Sequence, residues 1–253
     1  MKKFFLILVL VLVSFFALNT LKSEETKTPT SLIISLNQDP AFGFYPMFWG
    51  SYGLSEKIAL TTYGIFWTQD ALAGKNGGLN LLTEIGVGVN FTLLDGALNI
   101  NPAIGLGNGN FQSGGGRAIV GDNIVPQVGI TYTNGDFSVY AASVNWINLR
   151  KESKVTNNYD LFEYSVNPMY SYNKYFALGL TYDRFLYIDH TPKEDVTYTS
   201  YDWIGPTFKL TFNSGASATF SAGVDFQDYD NKNIADNDKI LRDFYRLQVA
   251  FPF

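Results

Sequence analysis

The sequence predicts an all-β fold: an antiparallel up-and-down transmembrane β-barrel of twelve strands, with ten or fourteen strands as alternatives. Three observations predict it. From Ser31 onward, bulky apolar residues alternate with small or polar ones at the period of two that a strand requires. Short connections alternate with long polar ones, as in bacterial barrels that keep their short turns on one side of the membrane. Most predicted spans have at least the roughly 9–11 residues that a tilted membrane strand needs.

The strand pattern is clearest on either side of Asp95-Gly96. Apolar residues from Ile85 to Leu93 mirror those from Leu98 to Leu106, and small or polar residues fill the positions between them. Asp-Gly is a favoured pair in two-residue hairpin turns. One face of this hairpin is apolar and the other is small or polar, which predicts lipid on one side and a lumen on the other.

Turns and connections predict the order of the strands. Further tight turns are predicted at Ser55-Glu56, Asn134-Gly135, Asn173-Lys174 and Ser214-Gly215. Long polar connections are predicted at 70–79, 108–123, 150–160, 189–199 and 228–239. The resulting spans are 31–38, 42–53, 57–69, 80–94, 97–108, 124–133, 136–149, 161–172, 175–188, 200–213, 216–228 and 241–253. An even number of strands places both chain ends on the periplasmic side.

The amino-terminal 23 residues are predicted to be a cleaved signal peptide. Lys2 and Lys3 precede an apolar run from Phe4 to Leu18, which is shorter than the about 20 residues of a membrane-spanning helix. Residues 24–30 are predicted to be a disordered periplasmic lead, and residues 31–253 the barrel. The sequence contains no Cys, which excludes a lipoprotein cleavage site, a disulfide framework and a thiolate zinc site.

Charge and aromatic content narrow the class of protein further. Loss of Lys2, Lys3 and Lys22 with the signal peptide leaves 15 basic against 23 acidic residues, a formal charge of −8, which argues against nucleic acid as a partner. The chain has 16 Tyr, 21 Phe and 4 Trp. Aromatic residues near span ends are expected to form girdles at the two membrane interfaces. The candidates are Trp49, Tyr52, Trp67, Trp146, Tyr164, Tyr170, Tyr172, Tyr175, Tyr182 and Trp203.

The more polar face of the spans predicts what lines the lumen. Four acids lie far from their periplasmic turns and are predicted at the lumen mouth: Glu84, Glu163, Asp183 and Asp225. Two bases and five amides are predicted at mid-height: Lys209, Arg246, Asn90, Asn99, Asn101, Gln127 and Asn167. Arg184 falls on the lipid side instead, which predicts either a slip in register or contact with a lipid phosphate.

Motifs for catalysis or cofactor binding are weak. The glycine-rich run from Gly107 to Arg117 lacks the Gly-Lys-Ser/Thr and the helix of a phosphate-binding loop. His190 is the only histidine, and it is followed by Thr191-Pro192 rather than by the His-x-Ser pattern of outer-membrane phospholipases. The acidic stretch 228–238 lacks the Gly and Glu of a helix-loop-helix calcium site. The sequence therefore predicts no enzyme and no catalytic, cofactor or metal site.

The last nine residues form a strand with alternating apolar positions that ends on an aromatic residue. The apolar positions are Tyr245, Leu247, Val249, Phe251 and Phe253. This strand resembles the carboxy-terminal signal of Gram-negative outer-membrane β-barrels. The resemblance implies that the barrel assembly machinery reads it, that the protein lies in the bacterial outer membrane, and that outer-membrane lipids and lipopolysaccharide surround it.

A second resemblance covers about a quarter of the chain. The block contains Asn101-Pro102, Gly105-x-Gly107-Asn108-Gly109, Ser113-Gly114-Gly115 and Gly121-Asp122-x-Ile124-Val125-Pro126. It is similar to an uncharacterised family of bacterial secreted β-rich proteins. That family implies no activity.

Four functions remain open at this point. The leading prediction is a passive outer-membrane channel for small hydrophilic solutes, with a slight preference for cations because four inward acids oppose two inward bases. The second is a closed structural, adhesive or lipid-contacting barrel in which those charges pair as an internal plug. The third is a lipid-acting enzyme at the rim, and the fourth is a soluble periplasmic sandwich.

Overall fold

Twelve antiparallel strands form one closed barrel in the computed structural model. The structure describes residues 30–67, 82–109, 119–149, 159–190, 196–230 and 239–253. The strands are β1 (Ser31–Asp39), β2 (Gly43–Gly53), β3 (Ile58–Trp67), β4 (Leu82–Leu93), β5 (Leu98–Gly109), β6 (Ile119–Asn134), β7 (Phe137–Asn148), β8 (Tyr159–Asn173), β9 (Phe176–Asp189), β10 (Val196–Thr211), β11 (Ser217–Asp225) and β12 (Arg242–Pro252). The predicted all-β barrel of twelve strands is therefore confirmed.

The barrel closes where the first strand meets the last. β1 pairs with β12 in the register Ile33↔Pro252 to Gln38↔Leu247, and it pairs with β2 on its other edge. Every other strand pairs only with its neighbours in sequence. Closure leaves no free sheet edge, which is the condition for strands to cross a bilayer. Among the described residues, no helix is long and apolar enough to cross a membrane.

The two ends of the barrel differ in their connections. We call the end that holds the first residue of β1 and the last of β12 the turn end, and the opposite end the loop end. The turn end carries the tight connections predicted from sequence, such as the two-residue turn between Asn134 and Phe137, where Gly135 adopts φ +59°. The predicted glycine-rich loop at 107–117 and the acidic stretch at 228–238 fall largely outside the described residues.

One connection differs from the predicted spans, and a second, although short as those spans predicted, breaks the alternation of short and long connections. β4 and β5 are joined by four residues rather than two, because the register Leu93↔Leu98 leaves a short 3₁₀ turn at Leu94–Gly96. At the loop end, β1 and β2 are joined by only Pro40 to Phe42, so long connections do not occur at every position there. Asp39 makes this short tip, since its Oδ1 accepts hydrogen bonds from the backbone N–H of Ala41 (3.0 Å) and Phe42 (2.7 Å).

The two faces of the barrel wall differ in polarity. The outward face is apolar and exposed, with Ile85 at 51% and Val87 at 61% exposure. The inward face of the same strand carries Glu84, which is only 1% exposed. Apolar side chains thus point away from the lumen, as the alternating pattern predicts. A soluble sandwich, which packs its apolar faces together, does not fit this arrangement.

Candidate functional site

The lumen contains an aromatic cluster that lies towards the loop end. Its members come from the inward faces of six strands and from the β1–β2 tip. We call it the aromatic plug, and its members are Phe42, Tyr45, Tyr63, Trp67, Trp146, Phe185, Tyr201, Trp203 and Phe244. All are buried except Trp67, which packs against the others while partly buried. Side chains rather than a separate domain therefore fill this part of the lumen.

Phe42 links opposite walls of the barrel across the plug. Its ring centroid lies 4.7 Å from that of Trp67 on β3, 5.7 Å from Phe185 on β9 and 6.2 Å from Tyr201 on β10. Ring pairs at these separations are favourable beyond the area they bury. The short tip between β1 and β2, which places Phe42, is thus part of the closure of the lumen.

A ladder of stacked rings continues from Phe185 along the wall. Phe185 stacks on Tyr201 at 5.2 Å, Tyr201 on Trp203 at 4.0 Å, and Trp203 on Phe244 at 5.0 Å with an interplanar angle of 1°. These rings come from β9, β10 and β12. Gly223 of the intervening β11 pairs with Phe244, and a Cβ at Gly223 would lie 2.1 Å from the Ile204 carbonyl oxygen, so glycine allows the backbones of β10 and β11 to approach closely here.

A buried carboxylate ties the other side of the plug together. Glu84 of β4 accepts a hydrogen bond from the Tyr63 hydroxyl at 2.8 Å and from Trp146 Nε1 at 2.6 Å. Trp146 lies on β7, three strands away from Glu84. Each carboxylate oxygen therefore has a donor, which is what a buried charge requires.

A second polar group lies at the base of the plug. Arg246 Nη1 donates to Asp183 Oδ2 at 2.8 Å, and its Nε lies 3.8 Å from Asp39 Oδ2. The guanidinium also lies over the Trp203 ring, 5.3 Å from its centroid. Glu163 interacts electrostatically with Asp183, Arg246 and Asp39, and its Oε1 accepts a hydrogen bond from Tyr201 at 2.9 Å. We call Asp39, Glu163, Asp183 and Arg246 the acid–arginine cluster.

Polar side chains line the lumen between this cluster and the turn end. We call this region the polar chamber, and its inward residues include Asn90, Asn99, Asn101, Asn167, Lys209 and Gln248. Lys209 is exposed to solvent, and the amides are partly exposed. Because these side chains point inward and still reach solvent, the chamber is wide enough to contain water.

Amides and hydroxyls hold the chamber wall in place. Asn90 Nδ2 donates to Asn99 Oδ1 at 3.2 Å, and Asn101 Nδ2 donates to Thr61 Oγ1 at 3.0 Å. The Thr181 hydroxyl donates to Asn167 Oδ1 at 2.7 Å and lies 2.7 Å from that of Thr207. Neutral hydrogen-bonding groups of this kind interact with water and with polar solutes and add no charge to the chamber wall.

The predicted mouth acids occupy different surroundings from one another. All four point inward on the part of their strands nearer the loop end, but Glu84 and Asp183 are buried, and Glu163 is half-buried. Asp225 accepts hydrogen bonds from the backbone N–H of Asp202 and of Gln227, each at 2.9 Å. Of the residues predicted at mid-height, Arg246 joins the acid–arginine cluster, while Gln127 is half-buried opposite Ala103.

The girdle prediction is wrong for all four tryptophans. Trp67, Trp146 and Trp203 belong to the plug, and Trp49 stacks on Tyr63 at 5.1 Å. The reason is that every second residue of a strand faces the same side of the sheet. Trp203 lies six residues before the inward Lys209 and therefore also faces inward. Five of the predicted girdle tyrosines are exposed: Tyr52, Tyr164, Tyr170, Tyr172 and Tyr175.

The apolar residues of the predicted assembly signal lie on the outward face of β12, from Tyr245 to Phe251.

Two charged groups lie outside the lumen lining already described. Arg184 is on the outward face, as its parity predicts, and its Nη1 lies 3.6 Å from Asp202 Oδ2 on the next strand. His190 Nε2 lies 3.2 Å from Asp160 Oδ2, whose Oδ1 accepts a hydrogen bond from the Asn148 backbone. Within the described ranges, no three His, Cys, Asp or Glu side chains are grouped to hold a metal ion.

A vestibule of about 570 Å³ opens at the loop end above the plug. Its apolar side is formed by Phe42, Phe185, Tyr201 and Trp203. Its polar lining residues include Asp225 and Arg242. Arg242 is paired with Asp228 at 3.2 Å. The lumen thus has three successive regions from the loop end to the turn end: vestibule, aromatic plug and polar chamber.

Solved structures of membrane proteins are similar to this barrel. An outer membrane channel from Pseudomonas putida F1 has a TM-score of 0.54 at 10% identity, over 92% of this chain and 98% of its own. A structure from work on in-meso crystallisation of membrane proteins has a TM-score of 0.51 at 12% identity, over 88% and 84%. A NanC porin has a TM-score of 0.49 at 12% identity, over 87% and 98%. At these identities, the first two likenesses show the barrel fold alone.

Sequence comparison gives the family. No curated protein sequence matches the chain. One family model matches it along all of residues 1–253. The chain therefore belongs to the family of unknown function DUF6733.

Proposed function

We propose that the protein is an outer-membrane channel for small hydrophilic solutes. The polar chamber carries this proposal, because a barrel that only anchored or displayed a surface would not need a hydrated interior lined by amides and hydroxyls. Lys209, Asn99 and Asn101 reach solvent while pointing inward. A twelve-strand barrel also encloses more room than the eight-strand barrels whose interiors are filled by side chains.

The aromatic plug makes this a restricted channel rather than an open pore. Phe42 closes the lumen from a tip of three residues, Pro40 to Phe42, and the remaining plug members are side chains on the wall. Such a closure opens by movement of side chains and of one short tip, without breaking the strand pairing. We therefore expect a small resting conductance that plug variants increase.

Charge in the lumen supports a preference for cations. Six inward carboxylates among the described residues lie along the lumen: Asp39, Glu84, Glu163, Asp183, Asp189 and Asp225. The inward bases are Lys209, Arg242 and Arg246. An excess of negative charge on a pore wall raises the local concentration of cations and lowers that of anions.

The outward face supports location in the bacterial outer membrane, where we expect the protein without its signal peptide. The apolar outward band suits acyl chains, and the loop end would face the cell exterior, as in bacterial barrels. Tyr245, Leu247, Val249, Phe251 and the terminal Phe253 would be read by the barrel assembly machinery. Outer-membrane lipids and lipopolysaccharide would surround the wall.

Conductance in planar bilayers tests the proposal. We expect the refolded wild-type protein to give small cation-selective steps, and Phe42→Ala to give larger steps because it removes the ring that bridges the walls. Leu60→Ala, on the outward face, is the matched control and should conduct like the wild type. Insertion of both variants without any ion current would reject a channel.

The plug also favours a second candidate, a closed barrel that acts as a surface or lipid-contacting protein. The two candidates differ in access to the chamber from outside the cell. In a channel, Asn101→Cys reacts with a small water-soluble thiol reagent added to intact cells. In a closed barrel, the same thiol reacts only after the outer membrane is permeabilised.

A further inference from the structure

We infer that Asp39, Glu163 and Asp183 form a binding site for an organic cation of the guanidinium or alkylammonium type, and that Arg246 occupies this site in the resting protein. The inference deepens the proposed function, on which it rests, by naming the class of solute. In the resting protein the Arg246 guanidinium acts as the bound cation, and a permeating solute takes its place.

The charges of the acid–arginine cluster do not balance. Asp183 is 0% exposed and Asp39 is equally buried, and Glu163 lies within electrostatic range of both. Arg246 is the one base that these acids contact through a described ion pair. Asp39 and Asp183 around one guanidinium already leave an excess of negative charge in a region screened from bulk water, where an additional or replacement cation is stabilised.

Asp183 supplies a second, independent observation. Its Oδ2 accepts the hydrogen bond from Arg246, but its Oδ1 is buried and has no hydrogen-bond partner among the described residues. A buried carboxylate oxygen left without a donor is costly. The side chain faces the lumen, because Asp183 pairs in register with the inward Trp203. Its free oxygen is therefore available to an N–H donor of a solute.

The surroundings select an organic cation over a metal ion. In the part of the chain that the structure describes, the acids are not grouped as metal ligands. The site instead combines carboxylates with the face of Trp203, over which the Arg246 guanidinium already lies at 5.3 Å. Carboxylates together with an aromatic face are the contacts that recognise guanidinium and alkylammonium groups.

The position of Asp39 connects this site to the plug. Asp39 Oδ2 accepts a hydrogen bond from Tyr45 at 2.8 Å and lies near Arg246, while its Oδ1 holds the backbone of the β1–β2 tip. That tip carries Phe42 into the plug. A solute that displaces Arg246 from Asp39 and Asp183 therefore removes one of the contacts that hold the tip inward.

Adding a free guanidinium compound to variants that lack the Arg246 side chain tests the site. Arg246→Gln vacates it, and Arg246→Met, which keeps an aliphatic stem against Trp203, is a second variant with the same purpose. We expect millimolar ethylguanidinium to raise the unfolding temperature of either variant in detergent relative to sodium at equal ionic strength. Adding Asp183→Asn should weaken this binding about tenfold, the effect of losing a charge-assisted hydrogen bond.

Arg184→Gln is the matched control, because it also removes an arginine that is paired with an aspartate, but on the outward face. Equal stabilisation of Arg184→Gln, or no loss of binding with Asp183→Asn, would overturn the site. In bilayers, a given concentration of ethylguanidinium should reduce the current through Arg246→Gln more than that through Arg184→Gln, in which Arg246 still competes for the site. Binding in detergent without current in any variant would support the site and reject the channel, whereas current without binding would do the reverse.

Discussion

The two halves of the lumen show how one β-barrel wall produces two kinds of interior. Towards the loop end, rings from β2, β3, β7, β9, β10 and β12 form one cluster with Phe42 and exclude solvent. Towards the turn end, inward positions carry amides, hydroxyls, glycine and Lys209, and solvent reaches them. The strand pairing is continuous through both halves. The difference therefore lies in the size of the inward side chains, and substitutions should have large effects in the plug and small ones in the chamber.

The largest expected effect is that of Trp203→Ala. Trp203 is buried between Tyr201 and Phe244 and lies under Arg246, so its removal leaves a cavity and an unshielded guanidinium. We expect a loss of about 3–5 kcal/mol in the free energy of unfolding, measured with denaturant in lipid or detergent. Asn101→Ala in the chamber should cost about 1 kcal/mol or less. Equal losses would mean that the two halves are packed alike.

Glu84→Gln should have the next largest effect. The substitution keeps the shape of the side chain, but its amide N–H₂ would face one of the two donors, Tyr63 or Trp146. A buried donor without an acceptor costs about 1–3 kcal/mol. Asp95→Asn, the same change at the exposed β4–β5 turn, is the control and should be neutral. An unchanged unfolding midpoint for Glu84→Gln would show that this carboxylate does not hold the plug.

A pair of glycine substitutions, one on β4 and one on β6, sharpens the comparison. A Cβ at Gly86 would lie 2.1 Å from the Tyr63 ring, so Gly86→Ala should displace that ring and cost about 1–2 kcal/mol. A Cβ at Gly129 in the chamber wall meets only Tyr140, at 3.5 Å, so Gly129→Ala should be neutral or stabilise by about 0.5 kcal/mol. Denaturant unfolding of both variants measures the difference, and the opposite order would contradict the assignment of the two halves.

The smallest effect on stability is expected for Lys209→Gln. Lys209 is exposed in the chamber, so the free energy of unfolding should change by less than about 0.5 kcal/mol. Loss of a positive charge from the lumen should still move the reversal potential in a salt gradient towards that of a more cation-selective pore. A reversal potential equal to that of the wild type would place Lys209 outside the conduction route.

Alternation and turn residues predicted most of the fold. The pattern around Asp95-Gly96 gave the register Leu93↔Leu98, and an even strand count follows from the same periodicity. The spans 31–38 and 42–53 predicted a short β1–β2 connection but not its conformation, which depends on hydrogen bonds from the backbone of Ala41 and Phe42 to the Asp39 side chain. Phe42 was the first residue of the predicted span 42–53, but β2 begins at Gly43, so strand alternation does not determine where the Phe42 side chain points.

The candidate site was only partly visible in the sequence. The alternation of inward and outward residues placed Glu84, Asp183 and Arg246 inward. The pairing of Arg246 with Asp183, however, joins residues that are 63 positions apart and belong to strands that are not neighbours. Such contacts depend on the curvature of the closed barrel. The tryptophans were assigned to interfacial girdles by their position near span ends, although the parity of Trp203 with Lys209 already indicated an inward face.

Tryptophan fluorescence quenching in reconstituted vesicles tests the central claim most directly, because all four tryptophans face the lumen and three of them belong to the plug. If the aromatic plug closes the loop half of the lumen, neither brominated lipids nor acrylamide should quench the emission strongly. Strong quenching by brominated lipids would place the tryptophans at the membrane interface. Strong quenching by acrylamide would show that water fills the region assigned to the plug, and either result would contradict this account.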